Sequence, residues 1–281
     1  MKIMFLGDVV GRSGRDAVLN AVPDLRARYG LDFVVVNGEN AAHGFGITPD
    51  ICSSLYNAEV DCITTGNHVW DQRQIINHID GDERLLRPLN FPAGTPGRGF
   101  SIFKLSDGRQ VMVINAIARL FMELNDSPFA ALDRLLERYE LGRNIDAVLL
   151  DFHGEATSEK MGMGHHLDGR VSLVVGTHTH VPTSDLFILP GGTAYQTDAG
   201  MCGDYDSVIG MRKSSSTARF TQRLPTERAE PATGEATICG LLLETDDATG
   251  LAKRVTPIRM GGQLQPAIPD DSWRATAAAP A

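Results

Sequence analysis

Cysteine is scarce in this chain: Cys52, Cys62, Cys202 and Cys239 are the only four among 281 residues. They stand apart with no C-x-x-C spacing, which argues against a zinc ribbon or a disulfide framework and leaves buried free thiols. No apolar run approaches the ~20 residues of a membrane span, so no membrane partner is expected. The opening run Ile3–Leu6 is too short for a signal peptide and no small-residue cleavage site follows, which points to the cytoplasm. Basic residues are outnumbered, 26 against 35, for a formal charge of −9. Such a surface repels a long phosphate backbone, whose binding needs clustered Lys and Arg, so long DNA or RNA is not the expected partner. Internal repeats are absent, and no linker-like stretch interrupts residues 1 to 260.

What is present is a set of short apolar runs, each ending in a polar cluster. Ile3–Leu6 precedes Gly7-Asp8, Phe33–Val36 precedes Asn37-Gly38-Glu39-Asn40, and Cys62–Thr65 precedes Gly66-Asn67-His68. Ala147–Leu150 leads to Phe152-His153, and Val171–Val175 leads to Gly176-Thr177-His178-Thr179-His180. Runs this short, rich in β-branched residues and closed by turn residues, predict buried strands. In an open α/β sheet the carboxyl ends of parallel strands gather on one edge, where ligands bind. One rim would then receive Asp8, Glu39, asparagines and four histidines, a set of oxygen and imidazole donors without thiolate that suits two metal ions.

Between these runs the pattern is helical over Ser13–Tyr29, with Pro23 suggesting a kink or restart, and from Pro49 to about Ala58 behind the cap Thr48. Helices are also expected from Asp71 onward, over Pro128–Tyr139 and over Ala156–Met161. Phe100–Leu105 and Gln110–Asn115 flank Ser106-Asp107-Gly108-Arg109, a hairpin signal. Asp185–Leu189, Thr193–Gln196, Thr237–Leu243 and Ala252–Ile258 read as antiparallel strands. The order predicts one α/β domain over residues 1–262, with residues 263–281, low in apolar bulk, as a disordered tail.

The donor types narrow the chemistry. His178 and His180, two apart at a strand end, can reach one cavity. Imidazole with carboxylate and amide oxygen suits Mn, Fe or Zn. Two ions ~3.5–4 Å apart in phosphoester-cleaving sites share a carboxylate and a water or hydroxide. Glu39 is the expected protein bridge, the bridging hydroxide the nucleophile, and His68, beside Asn67, the proton donor to the leaving alkoxide.

Gly66-Asn67-His68 and Gly176-Thr177-His178-Thr179-His180, with Asp8 upstream and His153 between, resemble the calcineurin-like metallophosphoesterase signature. Three departures stand out: no His follows two residues after Asp8, Glu39 replaces the usual bridging Asp, and Val69 follows His68 where an acid is usual. These departures, with Phe152-His153-Gly154-Glu155-Ala156-Thr157-Ser158-Glu159-Lys160 and Tyr205-Asp206-Ser207-Val208-Ile209-Gly210, resemble the bacterial YmdB-like phosphodiesterases. The resemblance implies a four-layer α/β/β/α sandwich that hydrolyses 2′,3′-cyclic nucleoside monophosphates at a dinuclear site of Fe or Mn, with Zn also compatible. It implies Asp8, Glu39, Asn40 and His180 around one ion, Glu39, Asn67, His153 and His178 around the other, and His68 as acid. Asn40 would stand in for the missing His. His43 and Tyr205 are candidate substrate contacts, His165 and His166 are expected on a mobile loop, and Asp198 and Glu155 are candidates to orient ligand imidazoles. A phosphomonoesterase or protein phosphatase on the same scaffold and a non-catalytic nucleotide-binding regulator are the competing readings. Assembly into a homo-oligomer stays open.

Overall fold

The computed structural model describes residues 1–222 and 229–275, which form two β-sheets with helices outside them. The seven-stranded sheet holds β1 (Lys2–Leu6), β2 (Asp8–Val9), β3 (Phe33–Asn37), β4 (Cys62–Thr64), β11 (Met201–Asp204), β12 (Ala236–Thr245) and β13 (Ala252–Met260). The six-stranded sheet holds β5 (Phe100–Lys104), β6 (Gln110–Ile117), β7 (Ala147–His153), β8 (Leu173–Thr177), β9 (Phe187–Ile188) and β10 (Ala194–Gln196). β1, β3 and β4 run parallel, as do β6, β7, β8 and β10, so two sets of carboxyl ends supply the loops that meet at the seam.

Strand alternation builds the layers. Met4, Leu6, Val34 and Val36 face outward onto α1 (Gly11–Tyr29) and α2 (Pro49–Asn57). Their neighbours Ile3, Phe5, Phe33 and Val35 face Val111, Val113, Leu149 and Val175 of the other sheet. The far side of that sheet, with Met112, Ile114, Val148 and Leu150, packs on α3 (Pro128–Leu136) and α4 (Thr157–His166). Each aliphatic side chain so enclosed contributes about 1.5–3 kcal/mol relative to exposure. The result is the four-layer α/β/β/α sandwich. Thr48 and Ser127 cap α2 and α3 by accepting from the backbone N–H of Ile51 (3.3 Å) and Ala130 (3.4 Å), each with proline at the first helical position.

Four local expectations need correction. α1 runs unbroken through Pro23. The stretch from Asp71 holds turns and a single 3-10 turn at Arg73–Ile75 instead of a helix. β10 is antiparallel to β9 but parallel to β8, because strand direction depends on the partner chosen and not on the strand's own pattern. Residues 263–275 are not a loose tail. Ala267 pairs with Arg259, the Tyr29 hydroxyl donates to the Pro269 carbonyl at 3.3 Å, and Trp273 is buried under the Arg254 guanidinium, 4.0 Å from its ring centre. One tryptophan and a few backbone bonds anchor a segment of low average hydrophobicity; residues 276–281 lie outside the described residues. Among the described residues no helix is long and apolar enough to cross a membrane.

Candidate metal centre

At the seam of the two sheets, Asp8, Glu39, Asn40, Asn67, His153, His178 and His180 come together from the start of β2 and from just within or beyond the ends of β3, β4, β7 and β8. Asp8, Glu39 and His153 are fully buried. Glu39, His153 and His178 each offer a ligand atom within 4.8 Å of the others, and so do Asp8, Glu39 and His180, which makes Glu39 common to both groups. Asn67 Oδ1 lies 3.0 Å from His153 Nε2, on the first group. Asn40 Oδ1 lies 3.3 Å from His180 Nε2, on the second. Asn40 spends its NH2 group on the Gly44 carbonyl (3.0 Å), which turns its oxygen inward.

Hydrogen bonds behind the cluster set the histidine tautomers. The Thr177 hydroxyl donates to Asp151 (2.6 Å), so it accepts from His153 Nδ1 (2.8 Å) and turns Nε2 toward the cluster. Asp151 is itself buried and accepts from Asn37 (2.9 Å) and Thr64 (2.5 Å), joining β3, β4, β7 and β8 at one carboxylate. His180 Nδ1 donates to the Ile209 carbonyl at 2.8 Å, which aims Nε2 at Asn40 and Asp8. The backbone contributes too: His178 and His180 sit at φ +99° and +66°, a region side-chain-bearing residues rarely occupy and one that clusters at functional sites. Gly66 is required by close approach, since a Cβ there would overlap the Glu39 carboxylate and the His153 ring.

The electrostatics are those of a site short of positive charge. Asp8 Oδ1 and Glu39 Oε1 are buried without any hydrogen-bond donor. Burial pushes the Asp8 carboxyl up to about 7, against the pull of His180 and His153. Burial also acts to raise Glu39, but the positive potential of the surrounding histidines, His153 first with its Nε2 3.1 Å from Oε1, outweighs it and holds Glu39 at about 2. His178 drops to about 3, through burial first and the neighbouring His153 second. Unpaired carboxylate oxygens, two amide oxygens and imidazole nitrogens converging on one space are the donor pattern that divalent cations satisfy. The residues fit two such ions.

His68 stands beside this cluster rather than in it. Its Nδ1 pairs with Asp71 at 2.9 Å, its backbone N–H donates to Glu39 at 3.2 Å, and its ring meets Phe45 edge-on. Asp71, three residues after His68, thus gives the ring an acid partner where Val69 gives none. A cavity of about 510 Å³ opens above Glu39, Asn40, His68, His178 and His180 and is walled by Glu155, Ile209, Met211, Arg219 and Phe220.

The structure relocates several expected residues. Tyr205 is not among the residues lining that cavity; it is half-buried, and its hydroxyl donates to the His180 carbonyl (3.0 Å) while accepting from Met201 N (2.9 Å). His43 is exposed on the adjacent cleft with Arg12, Arg15 and Arg212. His165 and His166 end α4, with His166 on Asp133 at 3.0 Å. Glu155 does reach His178 Nε2, at 3.4 Å. Asp198 instead pairs with buried Lys160 (2.8 Å) and accepts from Thr179 N (3.1 Å). Asp151, Thr177, Lys160 and Asp71 support the site through contacts that sequence spacing does not reveal. The one available signal was Asp151, an acid inside the apolar run Val148–Phe152.

The sequence matches the YmdB-like protein family over residues 4–258. The chain belongs to that family. Within the YmdB-like proteins, it is 46% identical to the 2′,3′-cyclic-nucleotide 2′-phosphodiesterase of Bacillus subtilis (strain 168), over 92% of this chain and 96% of the relative. A hypothetical protein from Thermus thermophilus superposes with a TM-score of 0.87 at 41% identity, covering 94% of this chain and 100% of that one. A Mycoplasma pneumoniae structure described as a novel phosphatase superposes at 0.86 with 34% identity, 93% of each chain being covered. Both share the YmdB-like sandwich.

Proposed function

We propose that this chain hydrolyses 2′,3′-cyclic nucleoside monophosphates at a two-metal centre, opening the 2′ ester and leaving a 3′-nucleotide. That it is a hydrolytic enzyme of the phosphodiesterase kind follows from its family and from 46% identity across nearly the whole of a phosphodiesterase. The observation that supports the finer reading is the convergence of seven donor side chains, two with unpartnered buried carboxylate oxygens, beside a cavity of about 510 Å³ that Glu39, Asn40, His178 and His180 line. In this reading Asp8, Glu39, Asn40 and His180 would hold one cation and Glu39, Asn67, His153 and His178 the other, Glu39 being common to both groups. When bound, the two ions supply water of lowered pKa and screen the phosphoryl oxygens. The chain's own part is positional and protic. Asp71 accepts from His68 Nδ1 and so orients the ring, leaving Nε2 to give a proton to the departing ester oxygen. Thr177 and Ile209 keep His153 and His180 in the tautomers that present Nε2. Fe or Mn is the expected metal.

Steady-state kcat/KM on 2′,3′-cyclic, 3′,5′-cyclic and long RNA substrates at one salt concentration tests the reading. The 2′,3′-cyclic nucleotide should be the best of the three. RNA as the best substrate would make the enzyme a nuclease, and faster turnover of nitrophenyl phosphate than of bis-nitrophenyl phosphate in a parallel assay would make it a phosphatase.

A further inference from the structure

Ile209 is a β-branched residue held at φ +47°, and its side chain is 54% exposed. That combination is costly: left-handed backbone suits glycine, and a β-branched side chain is the least suited to it. The fold gains little burial in return. Gly210, next in the chain, also sits at positive φ (+90°), so glycine occupies one such position here and isoleucine the other. The turn that imposes this geometry is firmly bonded. Val208 and Met211 exchange backbone hydrogen bonds at 2.9 and 3.0 Å, Gly210 N–H donates to Ser207 Oγ (2.8 Å), and the Gly210 carbonyl accepts from Ala232 N (2.8 Å).

Two things leave this turn in the direction of the site. The Ile209 carbonyl accepts from His180 Nδ1 at 2.8 Å, and glycine would supply that carbonyl equally well. Ile209 also lines the cavity above the donor cluster, alongside Val208, Met211 and Phe220, with its side chain exposed. Phe220 belongs to α5 (Lys213–Thr221), a helix with no buried residue, and is 77% exposed. Besides its polar floor, the cavity thus has apolar lining whose most strained member carries an exposed, branched side chain.

We infer that Ile209 is the apolar platform against which the base of a nucleoside phosphate packs while its phosphate lies on the donor cluster. This rests on the phosphodiesterase reading for the phosphate end and adds the base end. Backbone strain is kept because the side chain acts on ligand and not on the fold.

Calorimetric titration of the Mn-loaded protein with adenosine 3′-phosphate and, separately, with inorganic phosphate tests it without relying on turnover. Ile209→Gly keeps the carbonyl and removes the side chain and the strain. It should bind the nucleotide roughly 10-fold more weakly, with the loss falling on the nucleotide rather than on phosphate, and its Tm should not fall. Ile209→Val, still branched, should restore most of the nucleotide affinity. Equal losses for both ligands would mean that the turn merely positions His180, and a marked fall in Tm would mean that Ile209 is a packing residue; either overturns the inference. So does unchanged nucleotide affinity. Turnover of 2′,3′-cyclic AMP by the parent protein separately decides the catalytic reading, so the two fail independently.

Discussion

Single side chains at this seam separate into those that offer lone pairs to the cluster and those that aim them. His68 does neither; its Nδ1 is committed to Asp71 and its ring faces the cavity. His68→Ala should therefore retain its metal by elemental analysis while turnover of a cyclic nucleotide falls ~100- to 10,000-fold. A nitrophenyl ester, whose leaving group departs without a proton, should lose less; equal losses would assign His68 to positioning. Glu39 is the opposite case, shared by both donor groups, so Glu39→Gln should lose most bound metal, measured per chain after purification without chelator. Retention of two ions and full activity would refute the bridge. Asp8, Glu39, Asn67, His178 and His180 were legible because each follows an apolar run that ends at a turn. Asp71, Thr177 and Ile209 were not, since their importance lies in what each touches across a turn or between strands. Tyr205 misled because a motif residue beside the site turns inward to hold backbone.

At the scale of elements, α4 reaches the site through one buried ion pair. Lys160 Nζ, 1% exposed, donates to the Thr177 carbonyl (2.7 Å) and to Asp198 (2.8 Å), and Asp198 in turn accepts from Thr179 N and Gly200 N. The loop carrying His178 and His180 at positive φ is thereby tied to α4 and to the segment after β10. Lys160→Met would leave Asp198 buried and unpaired, so urea unfolding should show a loss of about 3–5 kcal/mol. Adding Asp198→Asn should recover part of it, whereas metal affinity should stay low in both variants because the loop loses its tie. Recovery of metal affinity in the double variant would show the pair to be structural only. Elements themselves were largely legible where hydrophobic period and turn residues agreed, as in β1, β3, β7, α2 and the β5–β6 hairpin. They were not where tertiary partners decide: the direction of β10, the turns after Asp71, and the segment that Trp273 pins.

For the whole molecule, the decisive feature is that two sheets packed face to face bring buried acids from both to one seam within a chain of formal charge −9. Without cations the fold must bear that concentration of negative charge and lone pairs; with them it is relieved. Ions that bind only the folded chain stabilise it by RT ln(1 + [L]/Kd), about 2.7 kcal/mol at a hundredfold excess over Kd for one site. For a chain of this size that corresponds to a rise in Tm of ~5 °C or more. Mn added to chelated protein should produce such a rise in a thermal melt, and EDTA should reverse it. Asp8→Asn separates this from non-specific ion effects. Its Oδ1 has no donor and burial opposes its charge, so removing the charge relieves the empty site while weakening the occupied one. The chelated variant should melt at or above the chelated parent, and Mn should raise its Tm less. A chelated variant that melts well below the chelated parent would mean that Asp8 is anchored by the protein alone, and that the seam does not need cations to hold its acids together.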